Sequence, residues 1–240
     1  SLFGKRSKLE KKVAEARSLI NNNAFDKAFN LLVEVTQDDW EYGVAHYELG
    51  RLYLYVYNDP QNAYAAVQEA IKWASNALER AAAIAMLADG YLMHHNYQGA
   101  VAAFNDALQL LQNGDPGQLR PYILLRLSTC YRMMQDFDTA ARLIAEVLQI
   151  DPQNQFALQQ QEELYYEMTR RALYHGLVTH FSLDELRVLC FELSVDYESL
   201  SSSGGKESKA VDLITLFERR FGSIQPLVNA VKSKRPFLEL

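Results

Sequence analysis

The stretch ADGYLMHHNYQGAVAAFNDA, residues 88–107, decides the fold of this chain. Small and large apolar side chains recur in it at helical spacing, at Ala88, Tyr91, Ala100, Phe104 and Ala107. The same pattern returns in STCYRMMQDFDTAARLIAEVLQIDP, residues 128–152. A pattern of fixed period is typical of a repeat array in which each helical pair buries its apolar face on its neighbours. The sequence therefore predicts an all-α solenoid.

Two earlier copies extend the array toward the N-terminus. The matching residues are Ala16, Leu19, Ala28, Leu32 and Val35 in the first copy, and Leu49, Gly50, Tyr53, Ala63, Val67 and Ala70 in the second. A small residue is needed where two helices cross closely, and the four small residues are Ala16, Gly50, Ala88 and Ser128. Their spacings of 34, 38 and 40 residues grow along the chain. We therefore expect elongated linkers around residues 73–80 and 112–120.

Residues 9–152, with their small and aromatic positions and the closing Asp151-Pro152, resemble the tetratricopeptide repeat family. The resemblance implies about four helical hairpins, and the polar stretch 155–171 then suits a capping helix. Arrays of this kind usually hold other molecules, and in this family the first helix of each pair lines the concave face. The groove candidates are Arg17, Tyr47, Arg51, Tyr55, Asp89, Met93, Arg126 and Arg132. We expect a protein or peptide partner there.

The groove lacks the clamp of Lys, Asn and Arg with which some family members grip the terminal carboxylate of a peptide. The matching positions hold Val13, Arg17, Tyr47, Arg51, Ala85, Asp89 and Arg126. A role in binding chaperone tails is therefore disfavoured. The scattered arginines could pair with an acidic or C-terminal segment, because guanidinium binds carboxylate in bidentate fashion. The alternative is that they are solvated or form ion pairs within the array.

The last seventy residues follow another pattern. Residues 1–170 hold 15 Lys and Arg against 21 Asp and Glu, whereas residues 171–240 hold nine of each kind. We therefore predict a domain boundary near residue 170. Ser182 and Glu185 form a capping box that opens a helix. Apolar stripes predict further helices over 172–181, after the loop 199–205 and from near Pro226, which together describe a small bundle.

Residues 171–240 resemble the bacterial death-like, or effector-associated, domains. The resemblance rests on apolar spacing and on Leu189-Cys190-Phe191, Asp196-Tyr197 and Arg235-Pro236. It implies a module that pairs with similar domains on effectors in prokaryotic immunity or programmed cell death. The charged candidates are Asp184, Glu185, Glu192, Asp196 and Glu198 before the loop, and Arg219, Arg220, Lys232, Lys234 and Arg235 after it. The acidic patch of one module could bind the basic patch of another, which would allow self-association. The alternative is that these charges lie on solvated helix faces.

Composition narrows the function classes. The net charge of −6 argues against a nucleic-acid partner, because such a surface repels phosphate. No apolar run approaches the roughly 20 residues that a bilayer span needs, and contact of the basic tail with a membrane is disfavoured. We expect a cytoplasmic protein with two buried free thiols, Cys130 and Cys190. Because the chain begins with Ser1 rather than Met, we expect it to be trimmed, and an upstream leader or anchor stays open.

Catalytic and metal motifs are weak. The residues SGGK at 203–206 lack both the first glycine of a phosphate loop and the Ser or Thr after its lysine. Cys190 lies on an apolar stripe, which disfavours a thiol nucleophile working with His175 or His180. His94 and His95 have no second ligand pair for zinc. We therefore predict no catalytic residue, no cofactor and no metal site.

These observations predict a non-enzymatic protein–protein interaction adaptor. Residues 1–170 would form a tetratricopeptide-like solenoid with a capping helix, and residues 171–240 a small death-like bundle that recruits or assembles effectors. The alternative is a general scaffold or chaperone-like binder whose C-terminal bundle only caps the array.

Overall fold

The computed structural model describes residues 2–111, 119–201 and 203–240, and over these residues the chain is helical without strands. Eight helices form four consecutive hairpins, which confirms the predicted fold class. Their bounds are α1 Leu2–Asn21, α2 Phe25–Asp38, α3 Gly43–Arg51, α4 Pro60–Lys72, α5 Ala77–Met93, α6 Tyr97–Leu110, α7 Leu119–Met133 and α8 Phe137–Ile150. The chain continues with α9 Gln155–His180, α10 Leu183–Glu192, a 3-10 turn Tyr197–Ser199, α11 Gly205–Phe221 and α12 Gln225–Lys234.

Each hairpin turns on one residue in the left-handed backbone region. These residues are Asn23, Asn58, His95 and Gln135, with φ between 50° and 66°. In the last three hairpins the following residue caps the second helix, because its side chain accepts a backbone N–H bond from the first turn. The caps are Asp59, Asn96 and Asp136. The turn chemistry thus repeats along with the apolar pattern.

The small residues of the pattern lie where helices cross. Ala16 and Ala88 are fully buried, and Ser128 is 2% exposed. A Cβ atom at Gly50 would lie 3.0 Å from Val67 Cγ2 and 3.2 Å from Met86 Sδ, so a larger side chain would push the neighbouring helices apart. The predicted linker 73–80 is short, because α4 ends at Lys72 and α5 begins at Ala77. The second predicted linker falls mostly on residues 112–118, outside the described residues.

One π-helical turn interrupts the regular geometry. Helix α3 continues into Leu52–Val56 as a π-turn, and Tyr57 N donates to Leu52 O at 2.9 Å. Tyr47, Arg51 and Tyr55 follow one another at intervals of four residues, which lie on one face of a helix. All three line the same cavity, so the π-turn does not interrupt this face.

The chain divides by its packing into two compact units, Ser1–Leu158 (unit 1) and Gln159–Leu240 (unit 2). The division falls in the first turn of α9, whereas charge and pattern placed a boundary near residue 170. The separate helices predicted over 155–171 and 172–181 are one continuous helix. No proline interrupts this stretch, and its one glycine, Gly176, is tolerated within a helix.

Unit 2 encloses its own apolar core. Leu173 and Leu177 of α9 pack with Leu189 of α10, Ile214 of α11 and Val231 of α12, and all five are buried. The capping box is confirmed: Glu185 N donates to Ser182 Oγ at 3.1 Å, and Ser182 N donates to Glu185 Oε2 at 2.9 Å. The predicted end of α11 is confirmed as well, since Gly222 is its C-cap with φ of 64°.

Candidate protein-binding surfaces

Two adjoining cavities of about 300 and 400 Å³ lie along the first helices of the repeats in unit 1. They share Tyr47 and Ala82, and we call them together the first-helix groove. The other lining residues are Arg17, Tyr42, Gly43, Val44, Ala70, Leu78 and Glu79 in the first cavity, and Arg51, Tyr55, Ala85, Met86, Asp89, Leu119 and Tyr122 in the second. Five of the eight predicted groove residues line these cavities.

The remaining three predicted groove residues lie apart from the cavity lining. Arg126 reaches the groove through Asp89, to which it is bonded. Met93, the last residue of α5, is 42% exposed. Arg132 is half-buried in the last turn of α7.

A buried carboxylate binds one arginine from each of the two cavities. Glu48 is 1% exposed and accepts a bond from Arg17 Nε at 2.7 Å and one from Arg51 NH1 at 2.8 Å. The Arg17 side chain is 51% exposed and the Arg51 side chain 41%. The carboxylate is therefore covered, while both guanidinium groups face solvent in part.

A second buried carboxylate joins three repeats at the second cavity. Asp89, also 1% exposed, accepts a bond from Arg126 Nε at 2.6 Å on Oδ1. Its Oδ2 accepts bonds from the hydroxyl groups of Tyr55, at 2.7 Å, and of Tyr122. Burial, reinforced by the Asp89 charge, raises the pKa of both tyrosines. Both hydroxyls therefore stay protonated and keep donating near neutral pH.

The two carboxylate clusters obey one positional rule. The rule is counted from the small residues of the four repeats, which are Ala16, Gly50, Ala88 and Ser128. The residue that follows one small residue bonds to the residue two positions before the small residue of the next repeat. Arg17 and Glu48 satisfy this rule between α1 and α3, and Asp89 and Arg126 satisfy it between α5 and α7 with the charges exchanged. Sequence reasoning missed Glu48 and Tyr122. Opposite charges at equivalent positions of successive repeats were the available signal for Glu48.

The predicted arginines are thus engaged within unit 1. Arg17, Arg51 and Arg126 form the ion pairs that stood as the alternative to a peptide contact. Asp89 is buried beneath Tyr55 and Tyr122, which are 50% and 42% exposed, so it orients the groove lining more than it touches a ligand. A bound segment would meet guanidinium groups and tyrosine rings.

In unit 2 the predicted acidic and basic sets contact each other. Lys234 Nζ lies 2.8 Å from Glu192 Oε2, and Arg235 NH2 lies 2.7 Å from Glu185 Oε1. The expectation of two separate charged patches is therefore corrected for these four residues, because the fold brings α12 beside α10. Their charges cancel in pairs within the unit.

The other charged candidates of unit 2 have varied surroundings. Arg187 lies 3.9 Å from Asp184 and 3.5 Å from Glu198. Asp196 caps the 3-10 turn by accepting a bond from Glu198 N at 3.0 Å. Lys232 Nζ donates to Leu240 O at 2.8 Å.

Arg219 and Arg220 line an open cavity of about 370 Å³ at the end of α11. Leu200, Asp212 and Leu216 are among its other lining residues. Across residues 2–111, 119–201 and 203–240, no carboxylate lies within ion-pair distance of either arginine. These two cations are therefore available to an anionic partner.

An apolar stripe on α10 faces outward. Phe191 is 82% exposed, Val188 51% and Leu183 46%. Phe191 was noted in the sequence for its resemblance, and its exposure could not be read from apolar spacing. Its neighbour Cys190 points the other way and is fully buried.

The cysteines and the histidine of the third hairpin turn have well-defined surroundings. Burial raises the pKa of Cys130 and of Cys190 to about 11, which keeps both thiols protonated. His95 lies in a hairpin turn, and its Nδ1 is 2.9 Å from the Tyr97 hydroxyl. Within the described residues no group of three His, Cys, Asp or Glu side chains could hold a metal ion. Across the same residues, none of the helices combines the length and apolarity that crossing a membrane requires.

Comparisons with known proteins give one family match and several similar solved structures. Residues 171–236 match the family model described as Effector-associated domain 7. Comparison with curated protein sequences gives no significant match. PilF of Pseudomonas aeruginosa is similar in structure, with a TM-score of 0.59 and 13% identity over 92% of this chain and 95% of that one. MamA gives a TM-score of 0.50 and 19% identity over 64% and 84% of the two chains. Both neighbours are tetratricopeptide repeat proteins, and the likeness shows the fold.

Proposed function

We propose that this protein is a non-enzymatic, cytoplasmic adaptor. The first-helix groove of unit 1 binds one protein partner, and unit 2 recruits or assembles effectors through contact with similar domains. The setting we propose is prokaryotic immunity or programmed cell death. The observation that carries the proposal is the match of residues 171–236 to an effector-associated domain, in one chain with a groove-bearing repeat array.

The surface of unit 2 supports contact between like domains. Arg219 and Arg220 border an open cavity. The exposed apolar stripe of α10 shares its helix with Asp184, and the exposed acids Asp184 and Glu198 lie 3.9 and 3.5 Å from Arg187. A patch of exposed apolar side chains rimmed by charge is typical of a protein interface. Two different surfaces that complement each other form a heterologous contact, which can extend a chain of subunits. The ion-paired residues Glu185, Glu192, Lys234 and Arg235 are, in this proposal, structural.

Charge reversal at the cavity tests this proposal on the full chain. We expect Arg219→Glu with Arg220→Glu to abolish self-association or capture of a similar domain, as measured by light scattering and pull-down. The matched control is Lys27→Glu with Arg142→Glu, which makes the same charge change at exposed positions of unit 1. Both variants should unfold at nearly the wild-type temperature. Unchanged association of the cavity variant would refute the proposal.

The second candidate function is a general scaffold in which the C-terminal bundle only caps the array. The observation that favours it is the pairing of four charged candidates within unit 2, which leaves them unavailable to a similar domain. In this case the variant pair described above changes neither oligomeric state nor partner capture, while groove substitutions still abolish partner binding.

A further inference from the structure

The middle step of the array breaks the positional rule of the groove. Between the second and third repeats the rule pairs Arg51 with position 86, and that position holds Met86 rather than a carboxylate. Arg51 NH1 instead donates to Glu48 Oε2 at 2.8 Å, within its own helix. Glu48 also accepts the bond from Arg17, so one carboxylate serves two guanidinium groups. One cation of the groove therefore lacks a carboxylate of its own.

The carboxylates around Arg51 are covered or held by other groups. Glu48 and Asp89 are each 1% exposed, and Asp89 is already bonded to Arg126, Tyr55 and Tyr122. Glu79, on the rim of the first cavity, accepts bonds from Ser75 N at 2.8 Å and Ser75 Oγ at 2.7 Å. What faces an incoming group at this point of the groove is accordingly the guanidinium of Arg51, with that of Arg17 beside the same carboxylate.

Aromatic and small residues surround this cation. Tyr47, Tyr55 and Tyr122 line the second cavity together with Arg51. Ala82 and Ala85 line it as well, so an apolar side chain of a ligand can pack against the tyrosine rings and these small residues. Because the two cavities adjoin at Tyr47 and Ala82, a bound segment can extend past Arg51 in both directions.

We propose that the first-helix groove binds an extended peptide segment through a side-chain carboxylate of Asp or Glu, which pairs with Arg51 and relieves the sharing of Glu48 between two guanidinium groups. A bulky apolar residue of the same segment packs against the tyrosine rings that line the second cavity. The proposal rests on the proposed function, in which this groove holds a protein partner. It specifies an internal acidic residue and not a chain terminus.

Selection from a library of random peptides, about a dozen residues long, tests this directly. The full chain is the bait, and the peptides are displayed with their C-termini either blocked by fusion or free. We expect the enriched peptides to share an Asp or Glu next to an apolar residue, with blocked C-termini tolerated. Replacing that acid by its amide in a synthetic enriched peptide should weaken binding about tenfold or more, because a charge-assisted hydrogen bond is lost.

Variants of the protein separate the roles. Arg51→Glu should no longer select acidic peptides and should enrich peptides with Lys or Arg instead. Arg51→Gln, which retains the polar stem, should also lose the acidic peptides but should not enrich basic ones. Arg142→Glu on the exposed face of α8 is the matched control and should select the same peptides as the wild type. Thermal unfolding of each variant shows whether the fold is retained.

The outcomes are distinguishable. Enriched peptides that lack an acidic preference, that require a free C-terminus, or that bind Arg51→Gln as well as the wild type would overturn the inference and leave the groove as a binding site. Failure to enrich any peptide whose binding depends on groove residues would overturn both the inference and the proposed use of the groove.

Discussion

Tyr55 and Tyr122 lie 67 positions apart in the sequence and donate hydrogen bonds to the same buried oxygen, Oδ2 of Asp89. One tyrosine follows α3 and the other belongs to α7, so Asp89 on α5 joins the repeats on both sides of its own. The lining of the groove is therefore held by a cluster that spans three repeats. Its rigidity favours binding, because little side-chain freedom remains to be lost.

The first prediction concerns this cluster. Asp89→Asn removes the charge that pairs with Arg126 and leaves its hydrogen-bond donors partly unmatched in a buried place. We expect a loss of about 2–3 kcal/mol of unfolding free energy, at the lower end of the range for broken buried pairs because the Arg126 side chain is 30% exposed. Urea unfolding measures it. Asp106→Asn on the exposed face of α6 is the control, and equal stability of the two variants would contradict the assigned role.

A pair of glycines gives the second prediction. A Cβ atom at Gly43 would lie 2.6 Å from the backbone oxygen of Trp73, whereas at Gly90 the nearest atom is Leu54 Cδ1 at 3.9 Å. Gly43→Ala should destabilise unit 1 by about 1–3 kcal/mol, because the clash is with backbone that must shift. Gly90→Ala should stabilise it by about 0.5–1 kcal/mol, because alanine is the better helix former within α5. Thermal unfolding should shift the two variants in opposite directions, and a shared direction would refute the packing argument.

The third prediction concerns pH. The backbone N–H of Ser182 and the guanidinium of Arg235 lower the pKa of Glu185 below its ordinary value of 4.5. A lowered folded-state pKa stabilises the fold at pH values above the unfolded pKa, and this contribution disappears as the pH falls through the folded pKa. Glu185→Gln should therefore be less stable than the wild type near neutral pH, and the difference should shrink as the pH falls below the ordinary value of 4.5. A gap that stays constant across this range would contradict the assignment.

The thiols provide the fourth prediction. With pKa values of about 11, Cys130 and Cys190 should carry only about one thiolate per thousand molecules at pH 8, and both side chains are fully buried. The folded protein should therefore react with a thiol reagent far more slowly than the denatured protein, in which both cysteines should react rapidly. Rapid labelling of either cysteine in the folded state would show that the local structure opens or differs.

Local patterns carried most of the fold. The helices, the capping box at Ser182 and the end of α11 at Gly222 depend on residues within a turn or two of one another, so spacing alone predicts them. The break predicted near residue 171 was wrong for the helices, because a change in the apolar pattern does not interrupt a helix unless a residue there disfavours helical backbone. The domain boundary near residue 170 remains a prediction, and the packing of the chain divides it after Leu158.

Contacts between distant residues were the part that the sequence could not supply. The pairs Glu185–Arg235 and Glu192–Lys234 join residues 50 and 42 positions apart, and nothing in local spacing says that α12 lies beside α10. The same holds for Glu48 and Tyr122, which sequence reasoning did not include in the groove. A charged residue on a predicted helix has the same local pattern whether water or another helix faces it.

By itself, the sequence determined an all-helical repeat array, the helix caps and turns, and a C-terminal region of different character, because backbone conformation and apolar periodicity are local properties. Only the tertiary structure decided which charged side chains form ion pairs within the protein and which remain accessible to a partner. The physical reason is that the strength and availability of a charge depend on what surrounds it in space. Arg51 shows both halves: the family resemblance placed it on the groove, and only the structure showed that it shares Glu48 with Arg17.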